Sequence, residues 1–349
     1  MTLSAGILDQ ARRRGYDCTV IDTSRSGFGD ISMRARAVNG FIRMRALVAS
    51  LRTHQNAPVI VIGGSGFSFI ERSTMALLAR IYKRRSILLI VDGWYMKAVE
   101  RSGKWRLISR ICLKFPTEVA AMGERWLQMY ERLGVGRDRL IDFNFFLPEG
   151  FGAGRNLVPR DPDAPVKFVF VGWLVTEKGL KELMAATERL AKNHSFEVTI
   201  IGGGTMLEEL RQWASEVPDN VAIRVPGWIQ GDSLQVRMAE ADIFVLPSYA
   251  EGFPMSLIEA FTLGLPAIAT NVGGISGSLI SGKNGQLIQP RDIDSLTEAM
   301  EKYLSHPEQI AIHGKSALQT AYSRHDRETN TALLLDALHP TGSHPAFED

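Results

Sequence analysis

The chain has 349 residues, of which 45% are hydrophobic and 22% charged, which excludes a disordered or fibrous protein and allows roughly two domains of about 150 residues each. Its two cysteines, Cys18 and Cys112, form no CxxC pair and no Cys/His cluster. Neither a disulfide framework nor a structural zinc site is therefore indicated, and a reducing, cytoplasmic setting is expected.

The net charge of +2 conceals an asymmetry between the two halves of the chain. Residues 1–160 carry a net charge of +13 and residues 161–349 one of −11. A basic half favours an anionic partner: a phosphorylated acceptor, an acidic membrane surface or nucleic acid. The alternative is that the opposite charges face each other across a domain interface. No apolar run approaches the roughly 18 residues of a membrane span, and residues 1–10 do not have the pattern of a signal peptide.

Short β-branched runs alternate with longer amphipathic stretches along the whole chain, which predicts parallel sheets covered by helices. Strands are predicted at 18–22, 58–62, 87–91, 118–122 and 140–143, and then at 167–171, 197–201, 221–225, 242–246, 266–270 and 286–288. The two sets predict one doubly wound domain over 1–150 and another over 166–338. Residues 151–165, rich in Pro and Gly, predict a linker, and residues 339–349 a disordered tail.

The first domain begins unusually. Residues 2–14 predict a helix, whereas a doubly wound domain normally opens with a strand and a glycine-rich turn. We therefore expect either that the true start lies further upstream or that the domain has lost an edge element.

The segment richest in chemistry follows the predicted strand 242–246. A short loop leads into a helix near Pro254, where proline suits the first turn. Such a loop lies at the carboxyl edge of the sheet, where open α/β folds bind ligands. The backbone amides at the start of this helix are expected to favour phosphate or sugar oxygens; they belong to Phe253, Met255 and Ser256.

Two carboxylates, Glu251 and Glu259, flank that helix start, and both can face one crevice. Either residue alone would be interpreted as a solvated surface carboxylate. Together with Gly252 and the apolar strand before them, they resemble the Glu-x7-Glu motif of the family 4 retaining glycosyltransferases, which have the GT-B fold of two Rossmann-like domains facing a cleft. The resemblance implies that Glu251 contacts donor-sugar hydroxyls and Glu259 the ribose of the nucleotide. Both lie in a donor-binding loop with Gly252, Phe253, Pro254, Met255 and Ser256.

A second segment, 170–179, looks like the first strand and loop of that family's nucleotide-binding domain. Gly172 and Trp173 would line the donor site, and Lys178 would neutralise the donor diphosphate as charge builds on the leaving group. A surface lysine at a helix start is the alternative for Lys178. Many family members carry a phosphate-binding arginine at the position of Trp173.

Three glycine turns, at 202–204, 227–228 and 273–274, follow strands in the order that the family shows. Glycine lets the backbone approach a ligand closely, but each turn alone is also typical of any α/β protein. By resemblance, Gly227 lies near the nucleotide base.

The first half, where such enzymes bind acceptors, is less informative. Asp92 follows the strand 87–91 and is predicted near the acceptor hydroxyl or the donor sugar; helix capping is the competing interpretation. Basic clusters at 12–14, 34–45 and 83–85, flanked by Phe41, Ile42, Leu47 and Leu78, are expected either to attach the domain to an anionic membrane surface or to form solvated helix faces.

Two Asp-x-Asp sequences, at 161–163 and 292–294, are interpreted as turn and capping residues. No metal ion is expected, and no cofactor other than the nucleotide-sugar co-substrate.

The sequence therefore predicts a retaining, metal-independent glycosyltransferase that moves a sugar from a nucleotide-sugar to a saccharide or lipid-linked hydroxyl in polysaccharide or glycolipid biosynthesis. Its expected location is cytoplasmic, with the inner membrane face as a possible peripheral site, and no nucleic acid partner is expected. Two alternatives stay open: a non-catalytic nucleotide-sugar-binding partner or truncated homologue, and a nucleotide-sugar epimerase of the same architecture. Donor sugar, nucleotide, acceptor, linkage and oligomeric state are not predicted.

Overall fold

The computed structural model describes residues 3–23, 33–146, 151–152, 161 and 164–338. The chain forms two compact units: the first extends to Phe143 and resumes at Glu328, and the second runs from Asn144 to Arg327. Each unit is built on one parallel sheet. The predicted tail, 339–349, lies outside the described residues, as does most of the predicted linker, 151–165.

The first unit has a four-stranded parallel sheet in the order β1-β2-β3-β4. Its elements in chain order are α1 (Leu3–Arg13), α2 (Met33–Thr53), β1 (Val59–Gly63), α3 (Phe67–Ile81), β2 (Ser86–Ile90), α4 (Gly93–Arg101), α5 (Gly103–Cys112), β3 (Glu118–Ala121), α6 (Glu124–Arg132) and β4 (Leu140–Asp142). The central strands β2 and β3 are buried at every residue, as their continuous apolar runs require in a sheet covered on both faces.

The second unit has a six-stranded parallel sheet in the order β10-β9-β8-β5-β6-β7. Its elements are β5 (Val166–Val171), α7 (Leu180–Leu190), β6 (Phe196–Ile201), α8 (Leu207–Ala214), β7 (Val221–Gly227), α9 (Asp232–Ala239), β8 (Ile243–Leu246), α10 (Met255–Thr262), β9 (Ala267–Thr270), β10 (Gly285–Ile288), α11 (Ile293–Ser305) and α12 (Glu308–Arg324). The strand order reverses between β5 and β8, which are neighbours. This is the point of an open α/β sheet where a crevice forms at the carboxyl ends of the strands.

The last helix, α13 (Arg327–Leu338), returns to the first unit from Glu328 onward. Arg85 Nη2 donates to the carbonyl of Ala337 at 3.0 Å, and Arg14 pairs with Asp336 at 3.2 Å. The compact units therefore divide the chain at 143 and 327, whereas the predicted domains ended at 150 and 338.

One predicted strand does not form. Residues 18–22 belong to neither a helix nor a strand. The segment has no fully buried side chain, and Val20 at its centre is 61% exposed. A strand requires a neighbour and a buried face, and without them the β-branched pattern of this segment has nothing to pack against.

No described helix is long and apolar enough to cross a membrane. Several cations of the predicted membrane-binding clusters instead form ion pairs within the first unit: Arg13 with Asp9, Arg14 with Asp336, Arg43 with Glu71, and Arg85 with Glu118. Leu47, predicted beside such a cluster, is buried. Phe41 and Ile42, which flank the same clusters, are 64% and 58% exposed, so the ion pairs engage these four cations without covering the apolar side chains beside them.

Candidate functional site

The candidate site lies at the carboxyl edge of the second unit's sheet, where β5 and β8 are adjacent. The loop after β5 carries Gly172, Trp173 and Lys178, and the loop after β8 carries Glu251 and Gly252. The topology therefore brings together two segments that the sequence separates by more than 70 residues.

An ion pair joins the two loops. Lys178 Nζ lies 2.6 Å from Glu251 Oε1, and the two side chains are 21% and 9% exposed. The bond is charge-assisted and largely shielded from water, so both side chains are held in place. Only one carboxylate oxygen of Glu251 is engaged, and an ammonium group has two further N–H donors. The pair can thus hold itself together and still bind a ligand.

Two glycines make this approach possible. Gly179, next to Lys178, has a φ of +71°, and a Cβ there would lie 2.0 Å from the carbonyl oxygen of Pro247. Gly273 has a φ of +56°, and its Cβ would lie 1.9 Å from the carbonyl oxygen of Glu251. Any side chain at either position would force the loops apart, because backbone atoms occupy the space.

Further bonds fix the loop after β8. The backbone N–H of Tyr249 donates to the carbonyl of Glu177 at 2.8 Å. Its hydroxyl donates to Glu182 at 2.7 Å, and the guanidinium of Arg291 lies 4.5 Å from its ring. Burial and the neighbouring Glu182 raise the pKa of Tyr249 to about 12, so its hydroxyl stays a donor. The motif did not single out Tyr249, although this residue lies in the motif segment.

The helix α10 begins directly after this loop. No side chain caps it, and its N-cap residue is Pro254, which has no N–H. The first-turn amides of Met255 and Ser256 have no intrahelical acceptor by helix geometry, and they point toward the N-terminal end, where an anion is favoured. The side chain of Phe253, the residue before Pro254, is only 7% exposed, and its ring packs inside the protein.

Glu259 lies in the middle of α10 and is half-buried. Its carboxylate makes no hydrogen bond or ion pair with any residue that the structure describes. Burial raises its pKa above the ordinary value for glutamate. A carboxylate that bears a desolvation cost and makes no hydrogen bond within the described residues is a candidate for ligand binding.

Glycines bring the loops after β5 and β6 close together at this edge of the sheet. Gly202 and Gly204 follow β6, and Cβ atoms on them would lie 1.8 and 2.4 Å from the carbonyl oxygens of Gly172 and Leu174. Two half-exposed indoles flank this glycine turn: Trp173 after β5 and Trp228 after Gly227, at 43% and 55% exposure. Their ring centroids are 4.9 Å apart with a tilt of 36°.

Asp92 lies in the other compact unit, where it caps α4. Its Oδ1 accepts from the backbone N–H of Trp94 at 2.9 Å, and its Oδ2 accepts from the backbone N–H and the hydroxyl of Ser65 at 3.0 and 2.5 Å. Capping, one of the two interpretations of the sequence, is thus observed. These three bonds also fix the turn after β1 against the end of β2.

Within the described part of the chain, no three or more His, Cys, Asp or Glu side chains are arranged to hold a metal ion. Asp292 caps α11 by accepting from the backbone N–H of Ser295 at 3.0 Å, and Asp294 pairs with Arg189. The residue Asp163 lies outside the described residues.

Comparison with known proteins shows which families and folds this chain is similar to. Residues 158–320 match the family model described as glycosyl transferases group 1. The chain is 32% identical over 171 residues to a glycogen synthase of Mycobacterium tuberculosis, a match that covers 49% of this chain and 41% of that protein. It is 28% identical over 297 residues to a GDP-mannose-dependent alpha-(1-6)-phosphatidylinositol monomannoside mannosyltransferase of Mycolicibacterium smegmatis, covering 77% and 75%.

Among solved structures, Anabaena HepE in complex with UDP-glucose superposes with a TM-score of 0.66 at 16% identity, covering 86% of this chain and 82% of that one. The fold is that of the GT-B glycosyltransferases, as the resemblance implied. The match to the glycosyl transferases group 1 model lies within the second unit and covers slightly less than half of the chain. The match spans less than half of the glycogen synthase.

Proposed function

We propose that the protein is a glycosyltransferase that takes a sugar from a nucleoside-diphosphate sugar bound at the carboxyl edge of the second unit. The observation that carries this proposal is the ion pair of Lys178 and Glu251 beside the uncapped start of α10. Cationic and amide donors there suit a diphosphate, and two carboxylates suit sugar hydroxyls. The family match and the relatives' names support the same chemistry.

In this account each residue has a defined task. Lys178 and the first-turn amides of α10 bind the diphosphate and stabilise the negative charge that develops as the sugar leaves. The unengaged oxygen of Glu251 accepts a hydrogen bond from a donor-sugar hydroxyl, and Glu259 accepts from the ribose. Gly252 and Gly172 let the backbone come close to the ligand. Because Lys178 and α10 supply the positive charge, we propose a reaction without a metal ion.

We place the nucleobase against the indole pair formed by Trp173 and Trp228. Two half-exposed indoles above a glycine turn offer a flat apolar surface beside Gly227. Stacking on such a surface is worth about 1–3 kcal/mol for a base. This arrangement gives Trp173 a donor-binding task in base stacking, although it provides no second cation for the diphosphate.

Retention of the anomeric configuration rests on the resemblance to the Glu-x7-Glu motif. The attacking hydroxyl would give its proton to the leaving phosphate on the same face of the sugar. Separately, we propose Asp92, in the first unit, as a residue that binds the acceptor. The carboxylate of Asp92 already accepts hydrogen bonds from Ser65 and Trp94. Only its remaining lone pairs can therefore accept a hydrogen bond from the acceptor hydroxyl. NMR analysis of the product anomer tests retention.

The acceptor is proposed to be a saccharide or lipid-linked hydroxyl presented at an anionic membrane surface. The exposed face of α5 supports this better than the clusters that the sequence indicated. Leu107 and Ile111 are 61% and 50% exposed on one side of this helix, among the cations Lys104, Arg106 and Arg110. A basic helix with exposed apolar side chains is typical of a membrane-surface contact.

Two experiments test the proposal. Purified protein is incubated with UDP-, GDP- and ADP-sugars and scored for thermal stabilisation and for nucleotide release with and without membrane extract. We expect stabilisation by one nucleotide class and release that depends on the extract. Stabilisation without release would select the non-catalytic binder, product from donor alone would select the epimerase, and no stabilisation by any nucleotide sugar would reject the donor site.

Membrane contact is tested separately with vesicles of phosphatidylcholine alone or mixed with phosphatidylglycerol. We expect cosedimentation only with the anionic vesicles, reduced in the variant Leu107→Ser/Ile111→Ser and unchanged in Ile312→Ser, which alters an exposed apolar residue of the second unit. Equal binding of all three proteins would exclude α5 as the contact.

A further inference from the structure

His325, just after α12, is a buried histidine for which the proposed chemistry has no use. It lies at 5% exposure and makes two hydrogen bonds with its two ring nitrogens. Nδ1 is 2.7 Å from the carbonyl oxygen of Phe145, and Nε2 is 2.8 Å from Ser278 Oγ. The two partners are 180 and 47 residues away along the chain, so the ring joins segments that are remote in sequence.

The chemistry of these partners fixes the ring's tautomer. A carbonyl oxygen only accepts, so Nδ1 carries the proton and donates to Phe145. Burial lowers the pKa of His325 to about 4, so the ring is neutral near pH 7 and Nε2 has a lone pair. The hydroxyl of Ser278 therefore donates to Nε2. One neutral imidazole satisfies both partners with a defined orientation.

The ring of His325 also contacts the donor loop. Its centroid lies 5.2 Å from that of Phe253, which in turn stacks on Phe145 at 5.8 Å with an angle of 22°. Phe253 stands between Gly252 and Pro254, and α10 begins immediately after Pro254. A shift of the Phe253 ring would thus move the first-turn amides of α10 and the backbone next to Glu251.

Ser278 connects the same imidazole to the loop that contains Gly273 and Gly274. Its side chain is buried, and its carbonyl accepts from Asn284 Nδ2 at 2.8 Å. The loop before Ser278 contacts the donor loop directly, because the backbone N–H of Gly274 donates to the carbonyl of Gly252 at 2.8 Å. His325 therefore supports the donor loop from two sides, through the Phe253 ring and through the segment that begins at Gly274.

We propose that His325 is a positioning residue, which holds Phe253 and Ser278 so that Glu251 and the start of α10 have the geometry needed for the donor. The inference rests on the proposed function for the identity of the ligand. Phe145 and His325 also lie within two residues of the points where the chain enters and leaves the second unit. The imidazole of His325 therefore contacts Phe253 and hydrogen-bonds Phe145, and it lies near the end of the second unit while Phe145 lies near its beginning.

His313 provides a matched control. It is equally buried at 5% exposure, belongs to the same unit, and bonds the hydroxyl of Tyr303 through Nδ1 at 2.8 Å. Among the residues that the structure describes, its ring and hydrogen-bonding partners lie outside the donor loop. His313→Ala therefore removes a buried, hydrogen-bonded imidazole without touching Phe253 or Ser278.

The test compares wild type, His325→Ala, His325→Phe, His325→Asn and His313→Ala by hydrogen exchange of the backbone amides and by donor KM. We expect His325→Ala to speed exchange at residues 251–257 at least tenfold and to raise the donor KM at least fivefold, while kcat changes less. His325→Phe keeps the ring contact and His325→Asn keeps a donor toward Phe145, so each should restore part of the effect. His313→Ala should leave exchange at 251–257 and the donor KM unchanged.

If His313→Ala and His325→Ala act alike on that loop and on KM, the role of His325 is merely structural and the proposal is wrong. Unchanged exchange at 251–257 in His325→Ala also overturns it. Failure of the wild-type protein to bind any nucleotide sugar would instead contradict the proposed function, and the exchange data would still decide whether His325 positions the loop.

Discussion

Lys178 Nζ lies 2.6 Å from Glu251 Oε1, although 73 residues separate the two along the chain. The contact joins the loops after two adjacent strands at the point where the strand order of the six-stranded sheet reverses. It places a cation and an anion together at the edge where such sheets bind ligands, and the proposed diphosphate site is built around it.

Breaking the pair should abolish most sugar transfer. Lys178→Ala and Glu251→Ala are each expected to lower kcat/KM by about 10²-fold or more, the magnitude found when one charge-stabilising donor is removed from an active site. The control Lys181→Ala removes an exposed lysine whose nearest carboxylate oxygen lies at 3.9 Å, and it should leave kcat/KM unchanged. Near-normal turnover in either Lys178→Ala or Glu251→Ala would contradict the assignment of that residue.

We expect the ion pair of Lys178 and Glu251 to contribute to the free energy of unfolding as well, and a double-mutant cycle measures that contribution. Lys178→Met leaves a nearly buried carboxylate without its cation, which is more costly than removing both charges. We expect Lys178→Met/Glu251→Gln to be more stable than the sum of the two single changes predicts. Strict additivity in chemical denaturation would show that the two side chains do not interact in solution.

Glu259→Gln should have opposite effects on stability and on donor binding. Burial raises the pKa of Glu259, so its charged form is disfavoured in the folded protein. The contribution of this group to stability is fully present below its unfolded-state pKa and is lost as the pH rises through the raised folded-state pKa. At neutral pH, Glu259→Gln removes that desolvation cost, and the unliganded protein should become more stable.

The same change should weaken donor binding, because an amide replaces the carboxylate that accepts from the ribose. The affinity of wild type for the donor should fall at acid pH as Glu259 takes up a proton, whereas that of Glu259→Gln should not show this dependence. Glu298→Gln, an exposed change on α11, is the control. Loss of stability in Glu259→Gln above the raised pKa would contradict this account of the residue.

Trp228→Ala should reduce donor affinity about tenfold or more, since stacking of a base on an aromatic ring contributes about 1–3 kcal/mol. Trp228→Phe should retain part of the affinity, and Ile312→Ala should retain all of it. Quenching of tryptophan fluorescence by the donor provides the readout, and it should shrink in both Trp228 variants. Full affinity in Trp228→Ala would place the base elsewhere.

Gly179→Ala should destabilise the protein and disrupt the site. A Cβ at this position collides with the carbonyl of Pro247, and the backbone is left-handed with φ +71°. Gly231 has a similar φ of +64°, but a Cβ there would meet no described atom within 4 Å, so Gly231→Ala incurs only the conformational cost of about 1–2 kcal/mol. Thermal unfolding should show a larger loss for Gly179→Ala, accompanied by loss of transfer; equal losses would remove the steric argument.

The sequence predicted the sheets well where burial and pattern agree. Residues 243–246 form a strand that is buried at every residue, as a short, unbroken apolar run is expected to be in a parallel sheet covered on both faces. Residues 18–22 also contain β-branched side chains, but Val20 is 61% exposed and the segment pairs with no described strand, which periodicity alone does not reveal. The final helix joins the first unit through Arg14 and Arg85, which local patterns do not encode.

The sequence motifs indicate which residues belong to the candidate site, but they do not indicate which of these residues contact each other. Lys178, Glu251 and Glu259 were found because their segments resemble a known motif. The ion pair depends on Gly179 packing against Pro247, a tertiary contact without a sequence signature. His325 lacks any motif, and its partners are distant along the chain, so only the structure identifies it.

The most direct test of the account is the affinity of wild type and Lys178→Ala for nucleoside diphosphates and the matching monophosphates of uridine, guanosine and adenosine, measured by titration calorimetry. The account predicts that wild type binds one diphosphate far more tightly than its monophosphate, and that this preference disappears in Lys178→Ala while Lys181→Ala retains it. A preference for the diphosphate that survives in Lys178→Ala would contradict the proposed site.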